Sequence, residues 1–230
     1  MAKLREMPWY KSMLVKAGRL VSSRTVHNLN AALNYLDAGR WMRDRGLRVE
    51  RWVKDRDAIN ELVADRIRDK RVLLIELGVF KGRYIEYWAK QLGHPQAAIH
   101  GFDSFVGLPE DWNFHFKREF FSLGGKAPKF GDPRIELFAG WFHETLPTYR
   151  PAPHDLLFVN FDADLYSSTK VALDNLKAYF VPGTLLYFDE FCDRLHEKRA
   201  FDEYLSETGH GYRILAADPT LSNVLFERIS

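Results

Sequence analysis

Val72-Leu73-Leu74-Ile75 is an unbroken apolar run that stops at Glu76 and a glycine turn. The same figure recurs down the chain. Ala98–Phe102 ends in Asp103, Leu156–Phe161 ends in Asp162, and Thr184–Phe188 ends in Asp189-Glu190. Ile135–Phe138 is another short apolar run. Such runs, without polar alternation, predict strands buried on both faces. Helical spacing fills the gaps, predicting helices over Tyr84–Leu92, Ser168–Phe180 and His196–Glu207. Tyr212–Ala216 and Asn223–Glu227 predict a closing hairpin. Strand alternating with helix predicts an α/β protein with a mostly parallel sheet covered on both faces. Upstream, Val26, Leu29, Leu33 and Leu36 mark a helix within 25–45, and Ile59, Leu62, Val63 and Ile67 share one face of a helix over Asp55–Asp69. The chain therefore divides into a helical extension, residues 1–70, serving as a lid or dimer surface, and a sheet domain, residues 71–230.

The acids are placed regularly. Glu76, Asp103, Asp162 and Asp189 each fall just past an apolar strand. In an open α/β sheet ligands bind outside the carboxyl ends of the strands, so these acids should gather around one site. Glu76-Leu77-Gly78-Val79-Phe80-Lys81-Gly82 is a glycine turn, but not the G-x-G-x-x-G of a dinucleotide site. A carboxylate at Glu76 would oppose a pyrophosphate and attract an ammonium, which disfavours NAD and favours a cationic nucleoside such as S-adenosylmethionine. Asp103, with Ser104 beside it, either accepts ribose hydroxyls or caps a turn. Asp162, Asp164, Asp189 and Glu190 repel one another unless something positive lies between them. Either a divalent ion such as magnesium sits there, or the acids cap helices and pair with Arg194 and Arg199.

Composition narrows the class. With 46% hydrophobic and 28% charged residues over 230 positions, the chain is neither disordered nor fibrous. A single cysteine, Cys192, excludes an internal disulfide framework. No apolar run approaches the roughly 20 residues of a membrane helix, and the charged stretch Met1–Tyr10 lacks a secretory core. A cytoplasmic, soluble protein is expected. The net charge of +2 divides into +8 over residues 1–71 and −6 over the rest. That asymmetry suits an anionic partner (nucleic acid, a phosphorylated substrate or a membrane surface), or arginines that pair with the acidic body.

Taken in order, Ile75–Gly82, Asp103-Ser104-Phe105-Val106-Gly107-Leu108-Pro109, Gly140-Trp141-Phe142-His143-Glu144-Thr145-Leu146-Pro147, Asp162-Ala163-Asp164-Leu165-Tyr166-Ser167-Ser168-Thr169 and Asp189-Glu190 resemble the macrocin O-methyltransferase family, which includes the mycinamicin sugar O-methyltransferases. The resemblance runs over about residues 72–205. It implies a class I methyltransferase, Rossmann-like fold with a seven-stranded sheet, S-adenosylmethionine and magnesium as cofactors, and a sugar hydroxyl on a metabolite as acceptor. It implies donor contacts at Glu76, Gly78, Gly82, Asp103, Ser104, Gly140 and Trp141, and metal ligands at Asp162, Asp189 and Glu190. The family pattern has a second aspartate where Glu190 stands and another glycine where Arg83 stands.

Phe114-His115 resembles a pair that carries the catalytic base, so His115 is the base the resemblance implies, with His196 as a second candidate. Trp112, Phe114, Phe116, Phe120, Phe121 and Phe130 make an aromatic stretch that either lids the site or packs over the sheet. A homodimer through the N-terminal helices is open. Two rival readings are an RNA methyltransferase and a donor-binding scaffold with a lapsed site. Without a recognisable RNA-binding module, a small-molecule acceptor is expected rather than nucleic acid.

Overall fold

The computed structural model describes residues 8–112 and 116–230; Met1–Met7 and Asn113–His115 lie outside the described residues. Two helices come first, α1 (Pro8–Gly18) and α2 (Ser23–Asp44), then β1 (Val49–Trp52) and α3 (Arg56–Ile67). The alternating part follows as β2 (Val72–Leu77), α4 (Arg83–Gln91), β3 (Ala98–Asp103), β4 (Ile135–Ala139), a one-turn α5 (Phe142–Thr145), β5 (Leu156–Phe161), α6 (Tyr166–Leu176), β6 (Leu185–Phe188), α7 (Glu197–Thr208), β7 (Tyr212–Ala217) and β8 (Val224–Arg228). Among the described residues no helix is long and apolar enough to cross a membrane.

These strands form one sheet in the order β1-β7-β8-β6-β5-β2-β3-β4. Only β8 runs antiparallel, against β6 and β7; the other pairs are parallel. Among the described residues the sheet has eight strands, not the seven expected. The extra one is β1, whose sequence Val-Glu-Arg-Trp lacks an apolar run because it is an exposed edge strand beside β7. Residues 49–67, counted with the helical extension in the sequence, thus contribute the edge strand and a packed helix to the sheet layer.

The strand at the centre explains the apolar runs. All six residues of β2 are buried. Leu73, Ile75 and Leu77 face one core cluster with α6, α7 and the end of α2, while Val72 and Leu74 face the other with α3 and α4. Burying each such side chain stabilises the fold by roughly 1.5–3 kcal/mol, which alternation with polar residues would forfeit. Helix α3 is capped by Asp55, whose Oδ1 accepts from the Ala58 N–H at 3.2 Å, and it sinks Ile59, Val63 and Ile67 completely. Helix α2 is different. Ala38 and Trp41 are buried, but the predicted stripe Val26, Leu29, Leu33 and Leu36 is 47–72% exposed. Part of the positive charge of the extension is paired with the acidic body, by Arg45–Asp202 at 2.6 Å, Arg71–Asp155 at 2.7 Å and Arg66–Glu227.

The chain changes direction across the sheet between β2 and β5, and there the backbones close up. A β-carbon on Gly78, whose φ is +99°, would collide with the Asp162 carbonyl oxygen. Gly78→Ala should therefore destabilise the protein by about 3–5 kcal/mol through combined overpacking and strain. Gly39→Ala, in the exposed face of α2 with nothing within 4 Å, should stabilise it by up to about 1 kcal/mol. Urea denaturation of both variants checks the pair.

Candidate active site

A cavity of about 610 Å³ opens at the carboxyl ends of β2, β3, β4 and β5, within the roughly 300–1,000 Å³ usual for small-molecule sites. Glu76, Gly78, Asp103, Ser104, Gly140, Trp141 and Asp162 line it. Gly82 does not. It is the left-handed residue that starts α4, covered by the ring of Phe130, so any side chain there would run into that ring. His115 lies outside the described residues. His143 is on the cavity wall, whereas His196 sits ahead of α7 with Nδ1 accepting from the Tyr166 N–H at 3.3 Å. From the aromatic stretch, Phe121 reaches the cavity and packs on Phe80 at 5.5 Å between ring centroids.

Three of the loops around the cavity carry a non-glycine residue at positive φ: Phe80 (47°), Phe105 (57°) and Asp164 (60°). Strain of this kind persists only where neighbours over-determine the backbone. Asp103 supplies the restraint for two of the three. Its Oδ2 accepts from the N–H groups of Val79 at 2.9 Å and Phe80 at 2.7 Å, and its Oδ1 accepts from Phe105 at 2.6 Å. Of the two roles open to Asp103 in the sequence, the turn-clamping one is realised. A carboxylate has about four acceptor positions, so it retains capacity for a hydroxyl on the cavity side. Ser104 turns away into its own loop, donating to the Gly107 carbonyl at 2.9 Å.

Glu76 is the anomaly of the cavity. It is 1% exposed, and its Oε2 has no hydrogen-bond partner. Burial, then the charge of Asp162, raises its pKa well above the ordinary value, against the pull of Arg56. A buried acceptor left unpaired on a cavity wall calls for a donor from a ligand, and a cationic one best.

The other acids do not converge on a cage. Among the described residues no group of three His, Cys, Asp or Glu side chains is arranged to hold a metal ion. The space between Asp162 and Asp189 is filled by Arg56. Its Nη2 donates to Asp162 Oδ2 at 3.3 Å and its Nη1 to Asp189 Oδ2 at 3.2 Å. Glu190 is not on the cavity wall, and its backbone N–H donates to buried Glu197 Oε2 at 3.1 Å. Burial, then repulsion from Asp189 and Asp162, pushes the Glu190 carboxyl up to about 7. Burial, then Asp162 and Glu190, pushes Asp164 up to about 8. The proposed trio Asp162, Asp189 and Glu190 therefore does not, in this arrangement, fit a divalent ion. Arg194 and Arg199, the partners considered for these acids from the sequence, bond instead to Asn30 and Asn34 and to Glu203.

Two solved structures to which the chain is similar share this architecture. It superposes on the calicheamicin methyltransferase CalS11 with a TM-score of 0.54 at 23% identity, covering 74% of this chain and 76% of that one. It superposes on the O-methyltransferase NovP with a TM-score of 0.55 at 21% identity, covering 76% and 78%. The fold is that of the class I methyltransferases. Residues 126–220 match the macrocin-O-methyltransferase (TylF) family. A curated relative from Streptomyces olivaceus, 8-demethyl-8-(2,3-dimethoxy-alpha-L-rhamnosyl)-tetracenomycin-C 4'-O-methyltransferase, is 35% identical over 74 residues. That match spans 30% of this chain and 27% of the relative's length. The family segment contains Gly140, Trp141, Asp162, Asp189 and Glu190, while Glu76, Asp103 and Arg56 stand before it.

The sequence does not single out Arg56, because α3 counts there with the extension, or Tyr84, which reads only as the start of a helix. One signal was present. Arg56 is the first residue of its helix, where the macrodipole disfavours a cation. A basic residue at that place, between two aspartates, marks a charge used elsewhere.

Unpaired Glu76 makes a prediction for the ligand-free protein. Its folded pKa lies above the ordinary 4.5, so its contribution to stability is lost as pH rises from about that value through the folded one. Glu76→Gln should raise the Tm of the free protein by about 3–8 °C at pH 8, and the gain should vanish near pH 4. Thermal unfolding of both proteins across pH measures this.

Proposed function

We propose that the chain is an S-adenosylmethionine-dependent O-methyltransferase acting on a hydroxyl of a sugar or sugar-containing small molecule. The observation that carries the reading is the unpaired Glu76 carboxylate on the wall of a cavity at the switch point of a class I methyltransferase sheet. The family match over residues 126–220 and the sugar O-methyltransferase named among the relatives support the choice of acceptor.

When bound, S-adenosylmethionine supplies an electrophilic methyl group on a sulfonium centre. The chain's own residues do the rest. Glu76 receives the ammonium of the amino-acid tail and gives up the cost of its own burial in doing so. Gly78 keeps the floor of the cavity free of side chain. Asp103 holds the turn and offers its remaining acceptor capacity to the ribose, with Ser104 next to it. Gly140 and Trp141, after β4, would flank the adenine. An acceptor hydroxyl held facing that methyl group would give its proton to a general base of the chain. Alignment supplies much of the rate in such a transfer. We assign the base to His115, since a neutral imidazole suits that task near pH 7.

Calorimetric titration with S-adenosylhomocysteine tests the donor half. The wild-type chain should bind it, and Glu76→Gln should bind at least ten times more weakly while remaining folded. Absence of binding by the wild type removes the donor assignment. For the acceptor half, a panel of glycosylated metabolites is incubated with S-adenosylmethionine and scanned by mass spectrometry for a single added methyl group. His115→Ala should lower turnover about 10²–10⁴-fold without weakening S-adenosylhomocysteine binding; the same loss in His143→Ala and none in His115→Ala would move the base to the cavity wall.

A further inference from the structure

Two carboxylates from neighbouring strands, Asp162 after β5 and Asp189 after β6, direct one oxygen each at the same guanidinium, at 3.3 Å and 3.2 Å. Arg56 is held there on several sides. Its carbon Cζ lies 4.3 Å from the centroid of the Tyr84 ring and 5.7 Å from that of Tyr187. A planar, weakly hydrated guanidinium stacks on such faces more readily than a strongly hydrated ammonium or metal ion does. The two rings are fixed in turn. Tyr84 donates from its hydroxyl to Asn60 Oδ1 at 2.7 Å, and Tyr187 donates to the second oxygen of Asp189 at 2.9 Å. Asn60 belongs to α3, the same helix as Arg56, and that helix is anchored by wholly buried Ile59, Val63 and Ile67. The guanidinium is thus carried by packed structure, with its side chain only 30% exposed.

We propose that Arg56 is the resident cation of this site and that it takes the place of a divalent ion between Asp162 and Asp189. The arrangement accounts for the missing third ligand. An arginine already neutralises the pair, so no further carboxylate has to converge, and the glutamate at position 190 is free to leave the cavity wall. It also sets what the site can offer. Arg56 lines the cavity, and of its five N–H donors those not engaged by the two aspartates are available to a ligand oxygen. A guanidinium holds such an oxygen by hydrogen bonding and charge, and does so without inner-sphere coordination. The inference concerns occupancy of the carboxylate pair and stands apart from the methyl-transfer reading.

Manganese binding is the direct test, read by electron paramagnetic resonance of free Mn²⁺ on the full chain, so that no activity is needed. The wild-type chain should show no saturable Mn²⁺ site up to millimolar concentration. Arg56→Met, which keeps the length and removes the charge, should acquire one that is at least tenfold tighter, and the double variant with Asp189→Asn should lose it again. Should Arg56→Met not fold, Arg56→Gln is read in the same way. Stoichiometric binding of Mn²⁺ by the wild type would overturn the proposal. So would a folded Arg56 variant with no gain in Mn²⁺ affinity, because the aspartate pair would then not be a cation site that arginine occupies.

Discussion

Strand β2 ends where the sheet reverses its direction of growth, and Gly78 there passes so close to the Asp162 carbonyl that only a hydrogen fits. The binding edge depends on that close approach. It brings the end of β5 to the end of β2, so that Asp162 and Glu76 share one wall and feel each other's charge. It leaves the cavity floor as backbone. The tight turn beside it is clamped by Asp103 from the neighbouring strand through two N–H groups, those of Val79 and Phe80. The order of strands, the glycine and the aspartate are one mechanical unit.

The electrostatics of this edge follow from the same crowding. Parallel strands of nearly equal length deliver their terminal acids to one place, and burial raises several of them. The fold offers Arg56 as the cation among them, delivered by a helix that precedes the alternating part of the chain. Glu76 remains without a partner of its own. A site that keeps one buried carboxylate unsatisfied is less stable than it need be, which is the usual relation between stability and a binding role.

Much of this was legible in the residues. Unbroken apolar runs at β2, β3, β5 and β6 disclosed a doubly covered parallel sheet, and the acids closing those runs mark the edge where the cavity opens. The cavity gathers Glu76, Gly78, Asp103, Ser104, Gly140, Trp141 and Asp162, six of which a sequence reader would group as donor contacts. What stayed hidden has physical causes. Edge strand β1 has no apolar run because one side of it meets solvent. Gly82 looks like a ligand glycine but serves the start of α4 under Phe130, a contact with a residue far along the chain. Arg56 shows a local oddity, a cation at a helix start, but nothing local says that this helix points back at the ends of β5 and β6. The stripe on α2 reads as a core-facing surface and is largely exposed instead, because hydrophobic spacing reveals a face and not what covers it.

The central claim is that the cavity at the carboxyl edge is a nucleoside-donor site organised by Glu76. A crystal structure of the chain grown with S-adenosylhomocysteine tests it most directly. The account predicts the ligand's amino group on Glu76, its ribose at Asp103 and its adenine beside Gly140 and Trp141. A ligand bound elsewhere, or one seated in the cavity with Glu76 still unpaired, would contradict it.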